Sequence, residues 1–193
     1  MIETPQRRGT DSAKWGYYAE DLLPLWVADM DFSTPLAVIE ALQKRVAHGV
    51  FGYALPSQEL KGLIVERMYN LYQWKITEED IDLVPGVVTG FNLVTQAATQ
   101  PGESILIQPP VYPPFFKAAE NADARLICNE VVRDRDGNYV LNLEEFESVL
   151  REDTRCFLLC NPHNPIGRVY TKDELQKMAD ICLRHHLVIC ADE

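Results

Sequence analysis

Four short stretches of the chain carry groups with an evident chemical use. Pro85-Gly86-Val87-Val88-Thr89-Gly90 joins an apolar run to a helical pattern and would leave backbone N–H groups free to hold a phosphate. A glycine that only permits a tight turn explains the same residues, and the stretch is neither G-x-G-x-x-G nor a Walker loop. Tyr112 lies in Pro109-Pro110-Val111-Tyr112-Pro113-Pro114-Phe115, where the prolines stiffen the turn and would hold its flat face toward a planar ligand; a core tyrosine is the alternative. Asn164, in Asn161-Pro162-His163-Asn164-Pro165-Ile166-Gly167, offers an amide, and Asp192 offers a carboxylate directly after an apolar run.

What makes these four stretches one subject is the order of elements around them. From Ile81 onward short apolar strands alternate with helices, which predicts an α/β fold with a mostly parallel sheet and flanking helices. Expected strands are 81–84, 104–108, 125–131, 155–160 and 187–191; expected helices are 88–99, 113–121, 143–150 and 171–185. Thr171 and Glu174 have the form of a capping box, Asn142 and Glu145 cap the preceding helix, and Asp134 to Asn138 is a turn. In an open parallel sheet, ligands bind beyond the carboxyl ends of the strands, where Tyr112, Asn164 and Asp192 all fall. A phosphate cradle, an aromatic plate, an amide and a carboxylate together suit a phosphorylated, protonated heteroaromatic ring. Pyridoxal 5'-phosphate is such a ligand, because a carboxylate facing its pyridine nitrogen keeps that nitrogen protonated and makes the ring an electron sink.

The first eighty residues read differently. Residues 1–33 have no clean period and carry Trp15, Tyr17, Tyr18 and Trp26, as expected of an extended N-terminal arm whose rings pack on something else. Residues 34–80 form a helical segment expected next to the large domain: Thr34 as N-cap and Pro35 at the first position open a helix to His48, and Ser57 caps another. Residues 81–193 are then the first part of a larger α/β domain. The formal net charge of -11 over 193 residues, with no basic stripe, argues against nucleic acid. No apolar run has the length of a membrane span and the N-terminus has no secretory pattern, so a cytoplasmic location is expected. Five cysteines, three of them in expected core strands, read as reduced packing thiols. A zinc site can be drawn from Cys160, His163, Cys182 and His185, but the spacing matches no compact ligand pattern, and no metal is expected.

With these residues in view, the chain resembles the N-terminal half of a fold-type I pyridoxal-phosphate enzyme of the aspartate aminotransferase superfamily, class I/II. It is most similar to the MalY/PatB branch of cystathionine β-lyase-like carbon–sulfur lyases. The resemblance runs from Trp26 to Glu193. Its most specific pieces are Trp26-Val27-Ala28-Asp29-Met30-Asp31-Phe32, His48-Gly49-Val50-Phe51-Gly52-Tyr53, the Asn161–Gly167 turn and Ala191-Asp192-Glu193. It implies that the backbone of Val87 and Val88 binds the cofactor phosphate, that Tyr112 stacks on the ring, and that Asn164 hydrogen-bonds the phenolic oxygen while Asp192 pairs with the pyridine nitrogen. Tyr53 resembles the tyrosine that reaches the neighbouring subunit's phosphate, which implies a homodimer with shared sites. The family's Schiff-base lysine and substrate-binding arginine belong to the half after Glu193, and no lysine here sits in a matching motif, so the chain is expected to be a fragment without a catalytic residue of its own. The implied activity is β-elimination of thiol, pyruvate and ammonia from cystathionine or a related cysteine S-conjugate. Transamination on the same scaffold, and a non-catalytic interaction module, are the alternatives.

Overall fold

The computed structural model describes residues 4–193, which fall into one compact unit ending at Leu60 and a second spanning Lys61–Glu193. In the first unit the arm is not extended as expected, and residues 1–3 of it lie outside the described residues. A single helical turn, α1 (Ala13–Gly16), is tied back to the segment around Asp31. Lys14 Nζ donates to Asp31 Oδ2 at 2.7 Å, Trp15 Nε1 donates to Asp31 Oδ1 at 2.7 Å, and Arg7 bridges Asp29 at 2.5 Å and Asp31 at 3.1 Å. Two carboxylates two residues apart thus collect two cations and an indole N–H, and the chain must double back to make those bonds. Tyr17, Tyr18 and Trp26 stack edgewise and tilted on one another instead of on a distant surface.

Helix α2 (Leu36–His48) starts slightly later than its sequence signals suggest: Pro35 occupies the N-cap and no side chain caps the first turn, so Thr34 is not the cap. It ends where Gly49 takes a left-handed φ of 76°, a conformation that glycine adopts without a Cβ penalty. Helix α3 (Gln58–Tyr72) is capped as expected, Leu60 N–H donating to Ser57 Oγ at 3.2 Å. Neither helix buries a residue.

In the second unit, the expected strand at 81–84 is absent. A 3-10 turn at Glu78–Asp80, closed by Thr77 N–H on Asp80 Oδ2 at 2.8 Å, leads into Ile81, and 81–84 find no strand partner. An apolar run resembles a strand by pattern, but only a neighbouring ladder makes it one. The chain continues as α4 (Val87–Ala98), β1 (Ser104–Ile107), α5 (Pro114–Asn121), β2 (Arg125–Cys128), β3 (Val132–Arg133), β4 (Tyr139–Val140), α6 (Leu143–Ser148), β5 (Thr154–Cys160), α7 (Lys172–Arg184) and β6 (Val188–Asp192). Strands β2, β1, β5 and β6 lie in that order and pair in parallel, as the alternation predicts. The run 125–131, expected as one strand, splits: β2 ends at Cys128, and β3 turns into a hairpin with β4. The Asp134 carboxylate closes that hairpin by accepting from Asp136 and Asn138 N–H, both at 2.9 Å. The predicted caps form, with Glu145 N–H on Asn142 Oδ1 at 3.1 Å and a reciprocal Thr171–Glu174 box.

Alternation along the strands divides the core in two. Ile105, Ile107, Cys156, Leu158 and Cys160 face α4 and α5 with Phe91 and Phe115; Leu106, Phe157 and Leu159 face α6 and α7 with Phe146, Met178 and Ile181. Fully burying one such side chain contributes about 1.5–3 kcal/mol, so this unit is held by its apolar layers. All five cysteines are free thiols, and burial pushes Cys156 and Cys182 up to about 12, which suits packing and not reactivity.

Candidate functional site

Five of the expected site residues belong to the second unit, and its topology gathers their segments at the carboxyl end of the sheet. Asp192 is the last residue of β6 and stands opposite Cys160, the last of β5. Residues two apart along a strand share a face, so Asp192 lies on the side of Cys190, which packs with Phe91 of α4 and Phe115 of α5. Its backbone oxygen accepts from Asn161 N–H at 3.0 Å, tying the end of β6 to the turn that carries Asn164. Asn164 is exposed, and its backbone N–H points back to Cys160 Sγ at 3.4 Å.

The start of α4 leaves backbone donors uncapped. Gly86 is its N-cap at φ 108°, a value that suits glycine, and no side chain caps the first turn. The N–H groups of Val87 and Val88 are therefore left without a side-chain acceptor at the positive end of the helix dipole. Val88 lines an open groove together with Pro113 and Pro114, which places the start of α4 beside the turn that carries Tyr112. Tyr112 is half-buried, its ring edge-on to Phe115 at 6.4 Å, so one side is held by the core while the remainder stays accessible.

Asp192 has the most informative electrostatics. Burial raises its carboxyl above the ordinary carboxylate range, and among the described residues no cation pairs with it. A half-buried acid without a counter-ion calls for a cationic partner, and a protonated ring nitrogen is one. The donor set of free helix N–H groups, tyrosine ring, amide and unpaired carboxylate fits a phosphorylated pyridine ring. Tyr53 lies in the first unit and is fully exposed.

Sequence reasoning missed the polar residues beneath these turns. His163, weighed there only as a zinc ligand, is buried, as are Gln108, Asn129 and Tyr170, and the four are hydrogen-bonded to one another. The signal available was a glutamine closing an apolar strand and a histidine inside a proline-rich turn. Cys160 and Cys182 fall in different core layers, and His185 pairs with Glu147 at 3.2 Å, so the four drawn zinc ligands do not converge.

The profile described as aminotransferase class I and II matches residues 20–193. The chain is 41% identical to cystathionine beta-lyase PatB of Bacillus subtilis over 97% of its own length and 50% of the relative's. It is 34% identical to protein MalY of Escherichia coli, again over 97% of this chain and 50% of the relative. Cystalysin from Treponema denticola, whose crystal structure contains a pyridoxal 5'-phosphate cofactor, superposes with a TM-score of 0.88 at 35% identity, covering 99% of this chain and 50% of that one. The chain thus spans about half the length of the relatives it matches.

Proposed function

Because this chain belongs to the aminotransferase class I and II family, we propose that the whole protein is a pyridoxal-phosphate-dependent carbon–sulfur β-lyase that releases thiol, pyruvate and ammonia from cystathionine or a related cysteine S-conjugate. The observation that carries the cofactor is the unpaired Asp192 carboxyl at the end of β6, on the face that α4 covers. The lyase reading rests on the 41% identity with PatB. In this reading residues 1–33 are an arm, 34–80 a helical segment, and 81–193 the first part of the cofactor-binding domain.

Each residue then has a physical task. The N–H groups of Val87 and Val88 hold the phosphate at the helix start, where a negative charge is stabilised by about 0.3–1 kcal/mol or more when partly buried. The Tyr112 ring covers one face of the pyridine and limits its tilt. Asn164 donates its amide N–H to the phenolic oxygen, and Asp192 holds a proton on the ring nitrogen by remaining ionised beside it. The cofactor, when bound, supplies the electron sink that lets the substrate lose its Cα proton and expel a thiolate from Cβ. Tyr53, fully exposed on the first unit, reaches the phosphate of a neighbouring subunit, which makes the protein a homodimer with shared sites. Unpaired buried thiols suit a cytoplasmic enzyme.

Feeding cystathionine to the whole protein and following pyruvate tests the activity. Pyruvate formation is expected; amino transfer to a keto acid without elimination would replace the lyase with the transaminase, the second reading that the family supports. The Asp192→Asn variant tests the cofactor. Its affinity is expected to fall about 10- to 100-fold, the loss of a charge-assisted hydrogen bond. In the parent protein, binding weakens as the pH drops through the raised Asp192 value, because the protonated acid no longer pairs with the ring cation. The variant loses that pH dependence.

A further inference from the structure

Asn129, Gln108, Tyr170 and His163 form a buried polar chain beneath the three strand-end turns, each no more than 3% exposed. Gln108 Nε2 donates to Asn129 Oδ1 at 3.1 Å. The Tyr170 hydroxyl lies 3.2 Å from Gln108 Oε1 and 3.1 Å from His163 Nδ1, and His163 Nε2 lies 3.0 Å from the carbonyl oxygen of Pro110. Tyr170 is itself anchored to the next turn, its N–H donating to Asn161 Oδ1 at 3.0 Å.

The proton inventory fixes the histidine. A carbonyl oxygen only accepts, so Nε2 carries a proton. Burial pushes the imidazole below its ordinary value and disfavours a second proton on Nδ1, which therefore accepts from the Tyr170 hydroxyl. That hydroxyl has one proton for two acceptors, Nδ1 and Gln108 Oε1. Pro110 stands two residues before Tyr112, and His163 directly before Asn164. One neutral imidazole thus bonds the turn that carries the ring plate to the turn that carries the amide.

We propose that His163 is a positioning residue that sets the separation between Tyr112 and Asn164, with Tyr170 holding its imidazole in the Nε2–H tautomer. This rests on the reading of Tyr112 and Asn164 as contacts to one cofactor ring. Removing the imidazole takes the side-chain donor from the Pro110 carbonyl and leaves the Tyr170 hydroxyl with Gln108 Oε1 alone, and the two turns lose this link without loss of an apolar layer.

The test uses the whole protein as wild type, His163→Leu, His163→Gln and Tyr170→Phe, with two readouts: amide hydrogen exchange, and affinity for added pyridoxal phosphate. His163→Leu is expected to speed exchange at Tyr112 and Asn164 about tenfold while Phe157 and Leu158 in β5 keep their rates, and to weaken cofactor binding about tenfold. His163→Gln, whose amide can still donate to the Pro110 oxygen, recovers most of both losses, and Tyr170→Phe falls between. Faster exchange spread evenly through β5, with cofactor affinity intact well below the melting temperature, would show a merely structural histidine and overturn the proposal. Unchanged exchange at both turns in a wild type that binds the cofactor would overturn it too. A wild type that binds no pyridoxal phosphate would overturn the reading of the site itself, which the exchange pattern keeps distinguishable.

Discussion

The two units of this chain are held together by different forces. In Lys61–Glu193, Phe115, Phe146 and Phe157 have no exposed surface, and strands β1 and β5 carry a buried apolar layer on each face. In the unit ending at Leu60, by contrast, Leu25 is 87% and Leu55 93% exposed, and α1 and α2 bury nothing. The first unit is tied instead by a charge cluster, Arg7 and Lys14 against Asp29 and Asp31 with the Trp15 indole on Asp31, beside the small stack of Tyr17, Tyr18 and Trp26. An apolar layer is sensitive to missing volume and indifferent to salt; an exposed charge cluster is the reverse.

Phe157→Ala should have the largest effect, about 3–5 kcal/mol lost in urea unfolding, because it opens a cavity between β5 and the α6–α7 layer. A loss under about 1 kcal/mol would mean that the layers can close over the gap, against the close packing described above. Acid or salt should act on the charge cluster of the first unit more than on the apolar layers of the second. Hydrogen bonding by Lys14, then by Trp15, holds the Asp31 carboxyl below its usual range. Its contribution is therefore complete above the ordinary carboxylate value of about 3.9 and is lost as the pH falls through the depressed one. Trp15 fluorescence should change in that acid window, and again near 1 M salt where charges are screened within about 3 Å, while the far-ultraviolet signal of the sheet unit persists. Simultaneous loss of both signals would erase the contrast. Leu42→Ser, on the exposed surface of α2, should do least to stability, within about 0.5 kcal/mol, and its effect belongs in a dilution series: weaker self-association would show that this face is covered in the proposed homodimer.

What could be read from the sequence was local. The Thr171–Glu174 box, the Asn142 cap, the Asp134 turn and the parallel alternation each depend on residues a few positions apart, and all are present. The strand ends could be located because apolar runs stop abruptly at proline or acid, which is why the sequence assigns Tyr112, Asn164 and Asp192 to strand ends. Ile81 to Val84 misled, since a strand requires a partner that no local pattern announces. The extended arm misled for a related reason: its fold depends on pairs such as Arg7 with Asp29, 22 positions apart. The His163 chain was invisible because its bonds reach 53 residues to Pro110 and its neighbour Tyr170 reaches 62 to Gln108.

The pairing of β6 with β5 also governs which length changes this sequence can tolerate over time. Asp192 is in register with Cys160, and facing alternates at every residue. Adding or deleting a single residue between Leu187 and Asp192 would turn the carboxylate to the α7 side. A change of two would restore the side but displace the acid by about 6.6 Å along the strand. Lineages descending from this sequence are therefore free to vary in length at the Asp134–Asn138 hairpin, whereas β6 admits substitution but neither insertion nor deletion.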